Sequence, residues 1–198
     1  MLRLTMLGIC VGALILSGIG AYDPFTWLLK VIPAMIAVVI LCATYHCFPL
    51  TDLLYTLILI HSLILMLGGH YTYERVPLGF WMQEVFHFSR NHYDRIGHFA
   101  QGFVPAIVAR EIFIRRKVIN GAAWRSVLIV ATCLAFSALY ELFEWRVSVA
   151  TGSAGNAFLG TQGDVWDTQE DMFFALIGSI SALALLSGPH DRALKRLA

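Results

Sequence analysis

Charged side chains are scarce in this chain. Only 14% of its 198 residues are Asp, Glu, Lys or Arg, whereas a soluble domain has about 25%. The net charge is only +1. A nucleic-acid partner is therefore excluded, because the chain lacks the excess of basic residues that neutralises phosphates.

Familiar metal, redox and hydrolase motifs are missing as well. The four cysteines show no CxxC spacing, which argues against a zinc or thiol redox motif. The chain has no HExxH and no Gly-x-Ser-x-Gly, so it matches neither a zinc protease nor an α/β-hydrolase. The sequence therefore indicates no established enzyme class.

Long apolar runs are what the sequence has instead. Hydrophobic residues make up 58% of it, and six runs approach the roughly 20 residues that a helix needs to cross a bilayer. Each run is predicted to be helical, because backbone groups in lipid must form hydrogen bonds within their own segment. We predict one integral membrane domain over residues 1–198, an all-α polytopic bundle of about six transmembrane helices. The predicted spans are about 4–20, 26–48, 52–70, 96–114, 124–145 and 170–187.

The positive charges predict an orientation. With the N-terminus inside, nine of the 14 Lys and Arg residues lie in cytoplasmic segments and five in outer ones. Cytoplasmic loops carry the Lys and Arg excess, so both termini are predicted to be cytoplasmic. The links 71–95 and 146–169 then face outward. The first of them is predicted to contain an interfacial helix around Phe80–Phe88, with its aromatic residues at headgroup level.

The fourth span is the most polar of the six. It carries His98 near its outer end, and Arg110 and Glu111 near its inner end. We expect the other helices to shield this span from lipid. Arg110 is expected to extend toward the nearby surface, as long basic side chains do.

Ionisable residues gather where three spans reach the outer side. Such residues are costly in a membrane and usually face the bundle interior or a water-filled cavity. Asp94 and His98 are four residues apart and share a helix face. The three sets are Asp94 and His98; Glu141 and Glu144; and Asp164, Asp167 and Asp171.

Two interpretations of this cluster stay open. In one it is a functional site, in which proton transfer and a divalent cation such as Mg, Mn, Fe or Zn provide the chemistry. The catalytic candidates are Asp94, His98, Glu141 and Glu144, and the candidate metal ligands are Asp167, Asp171, Glu141 and His98. In the other it is structural: acids cap helices, and Glu141 and Glu144 pair with Arg95 and Arg146.

Three segments resemble the YjdF family of bacterial inner membrane proteins. They are GHYTY at 69–73, NHYDRIGHF at 91–99 and GTQGDVWDTQ at 160–169, and the likeness covers nearly the whole chain. The resemblance implies a multi-pass inner membrane protein and names no reaction.

A more distant likeness is to VanZ-like membrane proteins, which pair an Asp-x-x-x-His-Phe helix start with a later Glu and Asp. Here the start is Asp94, His98 and Phe99. The later acids are Glu141 or Glu144 and Asp167 or Asp171. VanZ-like proteins are associated with tolerance to glycopeptide antibiotics, so the likeness implies a cell-envelope context.

The leading hypothesis is an outward-facing His/carboxylate site that binds or acts on an envelope lipid or lipid-linked phosphate, with a divalent cation. The main alternative is an accessory membrane protein whose acids hold helices together. A cation-coupled transporter ranks below both, because the inner halves of the spans offer little of the polar path that it needs. The sequence leaves the oligomeric state open.

Overall fold

Every regular element of the described residues, 1–152 and 158–197, is helical in this computed structural model. The prediction of an all-α fold is confirmed. Seven helices have both ends within those residues. They are α1 (Leu2–Gly18), α2 (Pro24–Thr44), α3 (Asp52–His70), α4 (Pro77–Phe86), α5 (Tyr93–Arg115), α6 (Ala122–Thr151) and α7 (Asp167–Leu197).

Six of these helices correspond to the predicted spans. Four of them, α2, α3, α6 and α7, are long and apolar enough to cross a membrane. Helix α1 is a shorter apolar helix of 17 residues, and α5 has 23 residues but is more polar. The seventh helix, α4, forms within the aromatic link and exposes large apolar side chains such as Trp81 (56% exposed). Its place at the membrane interface stays a prediction.

The helices extend past the apolar runs that predicted them. Helix α6 continues to Thr151 instead of ending near residue 145, and α7 runs from Asp167 to Leu197 instead of over 170–187. Helix α5 begins at Tyr93, whose backbone N–H donates to Asn91 Oδ1 at 3.0 Å. An apolar run marks only the part of a helix that lies in lipid. The helix itself can continue through the polar turns on either side of that run.

The closest contact in the bundle joins α5 to α7. A Cβ atom at Gly102 would overlap the carbonyl oxygen of Ala175, and one at Gly178 would overlap that of Phe99. Small residues let membrane helices approach to backbone contact in this way. His98 lies one turn before Gly102, and Asp171 lies one turn before Ala175. The glycine contact therefore brings His98 and Asp171 to the same depth.

A buried polar network closes the opposite end of the bundle. Glu111 accepts hydrogen bonds from Thr51 Oγ1 at 2.9 Å and from His190 Nε2 at 3.0 Å. Arg110 donates to His190 Nδ1 at 2.8 Å and to Asp191 at 2.7 Å, and is only 7% exposed. The Arg110 side chain is buried, although its guanidinium reaches the exposed carboxylate of Asp191; its extension toward the membrane surface stays a prediction. The α2–α3 turn and the late turns of α5 and α7 thus meet at one end.

Candidate functional site

His98 stands at the centre of the acids that the sequence singled out. Its Nε2 atom lies 3.7 Å from one carboxylate oxygen of each of Asp94, Glu141 and Asp171. These acids come from α5, α6 and α7, and all four side chains are buried. The structure therefore brings together four of the predicted site residues.

Several polar atoms in this group lack hydrogen-bond partners among the described residues. They are both carboxylate oxygens of Asp94, Oε1 of Glu141, and Nδ1 of His98. Ser137 Oγ, one turn before Glu141 on α6, is also buried and without a partner. Each such atom costs about 1–3 kcal/mol if it stays unsatisfied. A ligand bound among these atoms would supply the partners that the described residues do not.

The donor set fits a divalent cation. Asp94, His98 and Asp171 each offer a ligand atom, and these atoms lie within 4.8 Å of one another. Ligand atoms bound at about 2.0–2.2 Å to one ion lie roughly 3.0–3.4 Å apart. The 3.7 Å separations from His98 Nε2 and the separations of up to 4.8 Å within the Asp94, His98 and Asp171 set would therefore shorten when an ion binds. Imidazole combined with carboxylates suits Zn, Mn or Fe.

Asp171 has a direct partner that sequence reasoning missed. Arg95 Nη1 donates a hydrogen bond to Asp171 Oδ1, and Arg95 Nη2 donates to Glu170 at 2.7 Å. Asp171 therefore pairs with an arginine through one carboxylate oxygen while its other oxygen lies 3.7 Å from His98 Nε2. The available signal was helical spacing. Asp167 lies three residues before Glu170 and four before Asp171, so all three face one side of α7, and Arg95 of α5 contacts all three.

Asp167 lies with arginines and not around His98. Its Oδ1 atom is 2.7 Å from Arg90 Nη2 and 3.0 Å from Arg95 Nη2. Arg90 also binds Asp164 at 2.8 Å. These pairs fasten the start of α7 to the start of α5. A metal-ligand role for Asp167 stays a prediction, and its present contacts are those of an ion-pair network.

Glu144 pairs with Lys30, one of the five basic residues that the charge count assigned to the outer segments. Lys30 Nζ of α2 lies 2.5 Å from Glu144 Oε1, and both side chains are buried. The Lys30 ammonium also lies 4.8 Å from the ring centre of Tyr73 and 5.0 Å from that of Phe158. The alternative pairing of Glu144 with Arg95 or Arg146 is therefore wrong. A lone lysine inside the apolar run of α2 was the available signal.

Carboxyl groups outnumber permanently charged basic groups in the whole cluster. Seven carboxylates and three permanent cations belong to it: Asp94, Glu141, Glu144, Asp164, Asp167, Glu170 and Asp171 with Lys30, Arg90 and Arg95. Among the described residues, Asp94 and Glu141 are the two carboxylates here with no lysine or arginine nitrogen within 4.0 Å. Two positive charges at that position would offset part of the excess, and so would protons held by the buried carboxyl groups.

The segments that lead into α5 and α7 carry further ionisable residues that do not join the group around His98. Asp164 accepts a hydrogen bond from the Trp166 backbone N–H at 2.9 Å, and this bond, with the nearby Arg90, holds the pKa of Asp164 below its usual range. The His92 ring lies edge-on to Phe88, with 4.8 Å between ring centres. Burial, with Arg90 and Arg95 nearby, lowers the pKa of His92. His87 is exposed.

Comparisons with known proteins agree with the resemblance found in the sequence. Residues 2–192 match a family model described as "Predicted membrane protein (DUF2238)". The chain is 51% identical over 183 residues to "Inner membrane protein YjdF" of Escherichia coli (strain K12), which covers 92% of this chain and 88% of that protein. No solved structure matches the chain. The YjdF resemblance is confirmed, and the VanZ-like one stays a hypothesis. The chain belongs to the DUF2238 family, as a multi-pass protein of the bacterial inner membrane.

Proposed function

We propose that this protein binds a divalent cation between Asp94, His98, Glu141 and Asp171 and uses it to bind or act on a lipid-borne phosphate of the cell envelope. One observation carries the proposal: three carboxylates from three helices lie 3.7 Å from one histidine nitrogen. A cation held there would polarise a phosphoryl oxygen and offset its charge. Asp94 and Glu141 are the groups available to accept a proton.

A membrane-anchored substrate fits the surroundings of the site. The four residues lie toward the ends of α5, α6 and α7 that the distribution of positive charges predicts to face outward. Val165 and Trp166, in the segment that leads into α7, are 83% and 63% exposed. Exposed aromatic and apolar side chains at the end of a span are typical of a membrane interface. A phosphate carried on a lipid would thus arrive at the depth of the site.

The structural alternative accounts for part of the cluster. The pair of Lys30 with Glu144 joins α2 to α6. Arg90 and Arg95 join the start of α5 to the acids of α7. Those pairs do not satisfy the unpartnered oxygens of Asp94 and Glu141. Glu144 is therefore not one of the proposed ligands. We propose that the ion pairs hold the helices together and that the neighbouring acids around His98 bind the cation.

The test measures binding of a polyprenyl phosphate to the purified protein in lipid nanodiscs, with Mn²⁺ present and again with EDTA. We expect binding that requires the metal, is lost in Asp94→Asn and persists in Asp164→Asn. Asp164 is the matched control because it is an acid of the same cluster that is bound to Arg90 and lies away from His98. Equal binding with Mn²⁺ and with EDTA would contradict the proposal.

Alanine substitution separates the two interpretations of Glu141. If Glu141 serves only to attach helices, Glu141→Ala lowers the yield of folded protein. If it is a ligand, Glu141→Ala folds as the parent does and loses metal-dependent binding. Size-exclusion chromatography and thermal unfolding of the purified variant measure the folding outcome independently of any substrate.

A further inference from the structure

Two adjoining cavities open at the end of the bundle where the chain begins, opposite the group around His98. One is a polar cleft of about 280 Å³ between α3 and α7, lined in part by Asp52, Arg192 and Arg196. The other is an apolar groove of about 350 Å³ between α1, α2 and α3. Arg3 lines both cavities, so they meet at its side chain.

The cleft carries more positive than negative charge. Three arginines, Arg3, Arg192 and Arg196, line it with one carboxylate, Asp52. Arg3 Nε lies 2.6 Å from Asp52 Oδ1, so this carboxylate is paired with Arg3. Within residues 1–152 and 158–197, the ion pairs leave Arg192 and Arg196 without an acidic partner, since the adjacent Asp191 binds Arg110 at 2.7 Å. The cleft therefore suits an anion.

The groove is apolar and lies deeper in the bundle, along α1, α2 and α3. Leu4, Leu7 and Cys10 of α1 line one side, and Leu41 of α2 with Ile58 and Leu59 of α3 line the other. The Arg3 guanidinium lies 5.0 Å from the ring centre of Tyr55, which fixes the basic group at the boundary between groove and cleft. An apolar chain in the groove would thus end beside three arginines.

We propose that this composite cavity binds one anionic phospholipid from the leaflet at which both chain termini lie. The phosphate occupies the cleft against Arg192 and Arg196, and an acyl chain occupies the groove beneath Arg3. Basic pockets between membrane helices bind anionic headgroups in this manner. A free anion would use the cleft alone, whereas a lipid uses both cavities, so charge and shape together favour the lipid. This site is separate from the proposed cation site and does not depend on it.

The test titrates phosphatidylglycerol into the detergent-purified full chain and counts bound lipid by native mass spectrometry. We expect one tightly bound phosphatidylglycerol and weaker binding of phosphatidylcholine. The double variant Arg192→Gln/Arg196→Gln should bind phosphatidylglycerol roughly 30-fold more weakly, at about fivefold for each basic residue at a membrane surface. The matched control Lys117→Gln/Arg125→Gln removes the same charge from the α5–α6 connection and the start of α6, and should bind as the parent does.

A second variant tests the groove. Leu7→Trp fills the groove without changing charge and should displace the lipid, while Leu139→Trp, on the exposed side of α6, should not. Inorganic phosphate serves as the third probe and should not compete at millimolar concentration. Equal affinity for the two lipids, full binding by the arginine double variant, or full binding by Leu7→Trp would each overturn the proposal.

Discussion

Lys30 of α2 and Glu144 of α6 form an ion pair with 2.5 Å between Nζ and Oε1, and neither side chain is more than 2% exposed. Water therefore cannot compensate either charge if the other is removed. The pair joins α2 to α6, and Glu144 lies one helical turn along α6 from Glu141. Because the pair is buried, removing one of its charges should show how much buried charge contributes to the stability of the bundle.

Lys30→Met should destabilise the protein by about 3–5 kcal/mol, because it leaves the Glu144 carboxylate buried and uncompensated. The double variant Lys30→Met/Glu144→Leu should regain much of that loss, since neither charge then remains. Thermal unfolding in detergent measures both. Arg75→Met is the control: Arg75 is 48% exposed beside Glu74, so its loss should cost no more than about 1 kcal/mol. A double variant no more stable than Lys30→Met would contradict this account of the pair.

Gly178→Val should separate α5 from α7. A side chain at Gly178 would overlap the backbone of Phe99, and backbone cannot rotate away as a flexible side chain can. We expect a large loss of folded, monodisperse protein in size-exclusion chromatography. Gly12→Val is the matched control, because a Cβ at Gly12 on α1 meets nothing within 4 Å. Equal yields of the two variants would show that the α5–α7 contact is not required.

The orientation is testable by labelling intact cells. In a background with the four native cysteines replaced by alanine, a cysteine at Val165 should react with an impermeant thiol reagent, and one at Asn120 should not. Val165 is 83% exposed and Asn120 is exposed too, so accessibility within the protein does not bias the comparison. The same prediction at Ser153 concerns a residue outside the described ones. Labelling at Asn120 alone would reverse the topology and place the His98 group at the cytoplasmic side.

The sequence was sufficient to predict the helices but not their exact lengths. Apolar runs located all six long helices, since crossing lipid demands an apolar stretch of defined length. The ends of α6 and α7 lie beyond those runs because polar turns remain helical. The α4 helix, at Pro77–Phe86, was found within three residues of its predicted bounds through its aromatic content.

The sequence predicted which acids would lie near His98 only in part, and it did not predict their pairings. Glu144 and Asp167 were named with the others, yet Glu144 pairs with Lys30 and Asp167 with Arg90 and Arg95. Asp94, His98, Glu141 and Asp171 were placed at one depth by their positions at span ends, and the structure brings them together. The partners Arg95 and Lys30 were missed, because the direction in which a side chain points depends on helix rotation. That rotation follows from contacts such as Gly102 with Ala175, which a single sequence does not reveal.

The metal content of the purified protein tests the central claim most directly. Parent, Asp171→Asn and Asp164→Asn are purified identically, incubated with Mn²⁺, passed over a desalting column and measured by inductively coupled plasma mass spectrometry. We predict one bound ion per chain in the parent and in Asp164→Asn, and a loss of at least tenfold in Asp171→Asn with thermal stability sufficient for normal purification. The same metal content in Asp171→Asn as in the parent, or no bound metal in the parent, would contradict a cation site at His98.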